Sequence, residues 1–237
     1  MRNLFVICLL AFGIFVLPAC SSNEIGNSKD VNPEAVYFDY NIWSEEGREN
    51  AVVKLQYRMG GPNGTTLVLN EPSKVEFDGK EVPVDSTVFD GAYYEVVSPL
   101  HSFAGKHRIE FTGLNQKNYA EEFDFEPFSL DKPLPASIER DNLVFSFRGL
   151  KDGDLIRVWM SDTLFSSEDI NEVDTIRNSS IVISHEQLKN LANGPINLQF
   201  SREIDKLLQH TANEGGRIYM SYGLRREFEL KGKREDD

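Results

Sequence analysis

Val36 to Trp43, VYFDYNIW, is the stretch whose reading decides the fold. Val36, Phe38, Tyr40 and Ile42 alternate with Tyr37, Asp39, Asn41 and Trp43. Successive side chains of an extended strand point to opposite faces, so this spacing writes a strand with one apolar face. Aromatic and β-branched side chains also suit a pleated, half-buried surface.

The same period recurs on either side of later turns. In AVVKLQYRM, Val53, Leu55, Tyr57 and Met59 are expected to point one way, with Lys54, Gln56 and Arg58 opposite. In KVEFDGKEVPV, Val75 and Phe77 face in, and Asp78-Gly79 marks a tight hairpin. HRIEF sets His107, Ile109 and Phe111 against Arg108 and Glu110, and EEFDFEPF sets Phe123 and Phe125 against Glu122, Asp124 and Glu126. One apolar and one charged face is the pattern of an antiparallel sheet with one wet side. About seven short strands punctuated by turns imply a sandwich. The block resembles the immunoglobulin-like sandwich, without the Cys…Trp…Cys core of true immunoglobulin domains.

FSLDKPLPAS, Phe128 to Ser137, has two prolines and no periodicity, and is read as the domain boundary. Beyond it come NLVFSF, DLIRVWM, SSIVIS, PINLQF and GRIYMSYGLRREFEL, all with strand character. One helix interrupts them. Ser184 and Gln187 form a capping box, Leu188 and Leu191 are its apolar anchors, and Gly194-Pro195 stops it. REIDKLLQ, Arg202 to Gln209, fits helix and strand alike. The fold class expected is therefore all-β: two tandem antiparallel β-sandwich domains over residues 35–130 and 137–231, the first immunoglobulin-like, the second with one short helix.

The N-terminus supplies an address. Arg2 precedes an uncharged run from Leu4 to Ala19, too short to span a bilayer, which needs about 20 apolar residues. A basic start, an apolar stretch and a small residue before the cut describe a secretory signal over residues 1–19. Leu17-Pro18-Ala19-Cys20 resembles the lipobox of bacterial lipoproteins. The resemblance implies that the Cys20 thiol carries a diacylglycerol, that cleavage precedes it, and that its new amine is acylated. Several acyl chains anchor far better than one. Ser21 in place of Asp implies the outer membrane, by analogy with enteric lipoproteins. The other cysteine, Cys8, lies in the discarded segment, so the mature chain has no disulfide and depends on a packed core. Residues 20–34 are polar and read as a flexible tether of roughly 20 Å reach. Residues 232–237 read as a solvated charged tail.

Without Arg2 the chain has 24 basic against 38 acidic side chains, a net charge of −14. A surface this acidic excludes nucleic acid as a partner and is repelled by anionic lipid head groups. The partners expected are the membrane, through the lipid on Cys20, and a protein or glycan.

No catalytic constellation is visible. His101, His107, His185 and His210 lack metal-ligand spacing, and neither G-x-S-x-G nor S-x-x-K occurs. GGPNGTT, Gly60 to Thr66, lacks the G-K-[ST] ending of a phosphate loop and reads as a hairpin. SDTLFSSEDINEVD, Ser161 to Asp174, is rich in hard oxygen ligands but lacks EF-hand spacing, and reads as a solvated loop. No enzyme, metal or cofactor is expected.

Four aromatics have no obvious place in a core. Tyr37 and Trp43 alternate against the apolar face of their strand, and Trp159 and Tyr219 are hard to place wholly inside. Exposed aromatics on a sandwich stack against sugar rings or anchor a protein, so these four are the candidate ligand-binding residues. The plainer expectation is that they cover a junction or lie under loops. Trp159 in particular is expected inside, among Ile156, Val158 and Met160. Three functions follow: a noncatalytic envelope lipoprotein acting as an interaction module, a glycan-binding lipoprotein accessory to polysaccharide uptake, and, last, an envelope hydrolase.

Overall fold

The computed structural model describes residues 24–164 and 167–232. The expected signal sequence at residues 1–19, the expected lipidation site Cys20 and residues 233–237 of the expected tail lie outside the described residues.

The fold is all-β. The first half of the chain supplies β1 (Ile25–Asn27), β2 (Val36–Glu45), β3 (Asn50–Met59), β4 (Thr65–Val68), β5 (Lys74–Phe77), β6 (Lys80–Glu81), β7 (Val84–Thr87), β8 (Gly91–Pro99), β9 (Gly105–Thr112) and β10 (Asn118–Phe125). The second half supplies β11 (Ser129–Leu130), β12 (Ser137–Glu139), β13 (Leu143–Arg148), β14 (Leu155–Ser161), β15 (Ile170–Thr175), β16 (Ser180–Ile183), β17 (Gly194–Leu207) and β18 (Gly216–Lys231). Among the described residues α-helix is confined to α1 (Leu100–Phe103) and α2 (His185–Leu188), four residues each.

Local chemistry sets several of these boundaries. Asp78 and Gly79 both adopt positive φ, 49° and 75°, and close the β5–β6 hairpin. The Ser184 side chain accepts from the Gln187 amide and the Gln187 side chain accepts from Ser184 N, the reciprocal capping box that opens α2. Arg202 to Leu207, open in the sequence, is strand, because β18 offers it a continuous antiparallel ladder as far as Leu207 opposite Arg217.

Two expectations are corrected. Residues 24–34 are not a free tether: β1 pairs in parallel with β4, and two 3₁₀ turns, Ser28–Asp30 and Pro33–Ala35, follow it. Ser28 is buried there and its hydroxyl accepts from Asn70 N at 2.8 Å. The acidic segment read as a loop ends in β15, whose polar side chains lie on a sheet edge paired with β14.

The central feature is one large sheet with the strand order β1-β4-β3-β2-β18-β17-β14-β15; β8 also pairs β3, β7 pairs β8, and β12 pairs β18. Its two halves come from opposite ends of the chain. They join where β2 lies parallel to β18, with Phe38–Glu45 opposite Gly216–Gly223. Gly216 permits that approach: a Cβ there would stand 2.7 Å from the Phe38 carbonyl oxygen. Most other neighbours in the sheet are antiparallel, and β1–β4 and β12–β18 are also parallel.

Two smaller sheets cover the inner face, β10-β9-β5-β6 over the first half and β11-β13-β16 over the second. In the first, Phe38 and Tyr57 meet Phe111 at ring-centroid distances of 5.0 and 4.5 Å. In the second, Phe200 lies 5.1 Å from both Phe145 and Phe147. Tyr222 touches both sides of the join, stacking edge-on with Phe125 and Phe128. The buried side chains of both halves form one contiguous core.

Candidate functional site

The outer face of the joined sheet carries an open groove of about 810 Å³, lined by residues of β2, β3, β8, β17 and β18. It exists because strand alternation sends the odd-numbered side chains of β2 outward while Phe38, Tyr40 and Ile42 go in. Trp43 therefore stands on this face, 39% exposed. On β18 the same rule turns Tyr219 and Ser221 outward between the buried Ile218, Met220 and Tyr222.

Register brings two of the four candidate aromatics together. Ser221 is opposite Trp43 and Tyr219 is opposite Asn41. With strands about 4.8 Å apart and about 3.4 Å of rise per residue, the Trp43 and Tyr219 backbones lie roughly 8 Å apart. Both side chains line the groove. Trp159 is displaced by two further strands, opposite Gln199 of β17, and lies roughly 20 Å from Trp43. It lines a second depression of about 310 Å³ that shares Gln199 and Arg225 with the groove. Tyr37 shares the face but not the groove. It sits six residues back along β2, beside the Asp39 carboxylate that bridges Arg58 and Arg217 at 3.5 and 3.2 Å.

The expectation that Trp159 is buried is corrected. Ile156, Val158 and Met160 all occupy the inner face and are fully buried, which leaves Trp159 outward and 46% exposed. Its indole N–H donates to Asp169 Oδ2 at 3.1 Å, which fixes the ring against the edge strand.

Between the aromatics the floor is polar and low. Ser201 donates to Glu203 Oε1 at 2.8 Å, and Arg157 Nε lies 3.3 Å from the same oxygen. Arg225 Nε pairs with Glu45 Oε1 at 2.7 Å across the join. Gly223 leaves a dip opposite Glu45 on one side and Ser201 on the other. Burial, and then the charge of Glu203, push the Tyr219 hydroxyl above its usual range.

Sequence reasoning does not single out the polar partners Gln199, Ser201, Glu203, Ser221 and Arg225. Their signal is present in part, since all are odd-numbered residues and most alternate with buried ones in PINLQFSRE and IYMSYGLR. What alternation does not encode is that β18 lies beside β2. Elsewhere, His107 stacks on Phe103 at 4.2 Å and bonds Asp78 and the Phe103 carbonyl, and His185 bonds the Arg140 carbonyl. Among the described residues no three His, Cys, Asp or Glu side chains converge as metal ligands.

No family model matches the chain, and no curated protein matches it. Among solved structures it is similar to the IG1+IG2 pair of DIP-gamma, at 9% identity and a TM-score of 0.23, covering 83% of this chain and 96% of that one. It is similar to a tetra-tandem repeat in the extending region of a large adhesion protein at 13% identity and a TM-score of 0.27, covering 84% of this chain and 50% of that one. It is also similar to the Bacteroides ovatus mixed-linkage glucan utilization locus SGBP-B at 9% identity and a TM-score of 0.18, covering 92% of this chain and 69% of that one. At TM-scores between 0.18 and 0.27 these likenesses carry no argument about this chain.

Proposed function

We propose that this protein is a noncatalytic binding module of the bacterial cell envelope, anchored in the outer membrane through a lipid on Cys20, and that it binds a glycan across the outer face of the joined sheet. The observation that supports the ligand class is the pairing of Trp43 and Tyr219 on neighbouring strands, with a polar floor beside them. A sugar ring has apolar C–H faces and a rim of hydroxyls. A flat, partly exposed indole can stack on the first, and Ser201, Gln199 and Glu203 can pair the second. The shallow, open shape suits a chain lying across the strands better than a small molecule that must be enclosed.

The test is a glycan array with residues 21–237, followed by calorimetry on the best ligand. Trp43→Ala should lower affinity at least tenfold while the melting temperature stays within about 2 °C, since exposed substitutions change stability little. No glycan binding, or binding indifferent to Trp43, would overturn this ligand assignment. Val52 and Val97 add apolar side chains at the groove's edge. They favour a protein partner as the second reading, and Trp43-dependent binding of a protein in place of a glycan would select it.

A further inference from the structure

At one end of the large sheet the β7–β8 hairpin presents Val88 and Phe89 at its tip, 82% and 86% exposed. Phe89 is among the largest apolar side chains of the protein, and water is a costly place for it. The tip is stiff. Asp90 N donates to Thr87 Oγ1 at 2.9 Å, the Asp90 carbonyl accepts from Gln56 Nε2 at 2.7 Å, and its carboxylate pairs with Lys54 Nζ at 3.0 Å.

The hairpin is clamped beside the point where the chain enters the fold. Ala92 N donates to Thr66 Oγ1 at 2.8 Å, and that hydroxyl lies 3.5 Å from the Glu24 carbonyl. Gly91, at φ +72°, is required for this clamp, because a Cβ would stand 2.2 Å from Thr66 Oγ1. Ile25 pairs with Thr66 and Met59 with Thr65, so two more exposed apolar side chains share this end, 47% and 43% exposed. Cys20 precedes Glu24 by four residues, a span of at most about 14 Å even when fully extended.

We propose that the Val88–Phe89 tip is a membrane-contact wedge, which enters the head-group boundary of the bilayer that holds the Cys20 lipid. The inference rests on the lipid anchor of the proposed function. A lipid surface is favoured over a protein because the anchor would hold this end of the sheet within a short span of the bilayer at all times. A rigid apolar tip there gains burial without a diffusional search, as intramolecular contacts do. The acidic chain disfavours anionic head groups, so the surface it fits is zwitterionic. Docking there would fix the tilt of the protein and set which way the groove opens.

Cys20 is the sole cysteine of the mature chain, so its thiol can be coupled to a maleimide lipid in phosphatidylcholine vesicles. In the coupled Phe89→Trp protein, emission should shift to the blue relative to the parent, and lipids brominated near the head group should quench the added indole by at least half. The side chain is exposed, so the melting temperature should not move. An added emission that coupling leaves unshifted and bromine leaves unquenched would overturn the wedge and leave the anchor standing. A blue shift before coupling, with a dimer by sedimentation, would assign the tip to self-association and overturn it as well. Mass spectrometry of the mature protein from bacterial cells tests the anchor separately: an unmodified thiol at Cys20 would overturn both.

Discussion

The β2–β18 pair has two faces built from alternate residues of the same strands, and they differ in kind. Inward, Phe38, Tyr40, Ile218 and Met220 are buried under a second sheet, and Tyr40 and Tyr57 share a buried hydroxyl contact of 3.3 Å. Outward, Trp43, Tyr219 and Ser221 border water, and the polar groups around them pair within reach of solvent. Aromatic content does not separate the two faces. What separates them is cover: the inner rings stabilise the fold because a sheet closes over them, and the outer rings stay available because none does. An aromatic residue on a strand thus gains its role from the layer opposite, not from its own chemistry.

The comparison can be broken first from the inside. Tyr57→Ala should remove about 3–5 kcal/mol of stability, as large-to-small changes of buried aromatics do, measured by urea unfolding. A cost below about 1 kcal/mol would mean that the inner aromatic cluster is not the core it resembles. The join is the next point of attack. Gly216→Ala should cost about 1–3 kcal/mol, because the new methyl must displace the Phe38 backbone. Calorimetry of the parent should show one unfolding transition for both halves, since they share a sheet and a core. Two separated transitions would show that the join contributes little.

Alkaline pH gives a third handle. Burial raises the pKa of Tyr40 and Tyr57 above the ordinary 10.0, and that of Tyr94 to about 12. A folded-state pKa above the unfolded one means that the unfolded chain releases its proton first. The stability these hydroxyls contribute is therefore complete below about pH 10 and falls as pH rises through the folded values. Tyr94→Phe should flatten the loss of stability between about pH 10 and pH 12, and an unchanged profile would contradict it. Smallest of all should be the stability effect of Trp43→Ala, within about 0.5 kcal/mol, because the ring is not covered. If Trp43→Ala cost as much as Tyr57→Ala, the division between faces would fail.

Much of the architecture is legible in VYFDYNIW and its repeats. Period two identifies most strands, Asp78-Gly79 identifies a hairpin, and Ser184 with Gln187 identifies a helix start, because each depends on neighbours within a few residues. The strands that escape such reading include β8, where Tyr93-Tyr94 and Val96-Val97 stand in adjacent pairs and blur the period, and others whose local signal is weak. β7 and β12 are short, and β15 is polar enough to read as loop. β1 lies in a tract too polar to suggest burial, yet it gains order from a ladder with β4, far along the chain. Trp159 reads as buried in the sequence because Ile156, Val158 and Met160, which share one face, look there as if they surround it.

The site divides in the same way. That Tyr37, Trp43 and Tyr219 alternate against an apolar face follows from the order of residues alone, since side-chain direction along a strand is a covalent property of the backbone. So do the acidic surface and the lipobox resemblance at Cys20. That Trp43 and Tyr219 share one groove with Ser201 and Glu203, while Tyr37 does not, was decided only by tertiary structure. Their proximity depends on a parallel pairing between strands at opposite ends of the chain, and on its register. Pairing partners over that distance are chosen by the packing of whole sheets, and no local pattern in either strand records the choice.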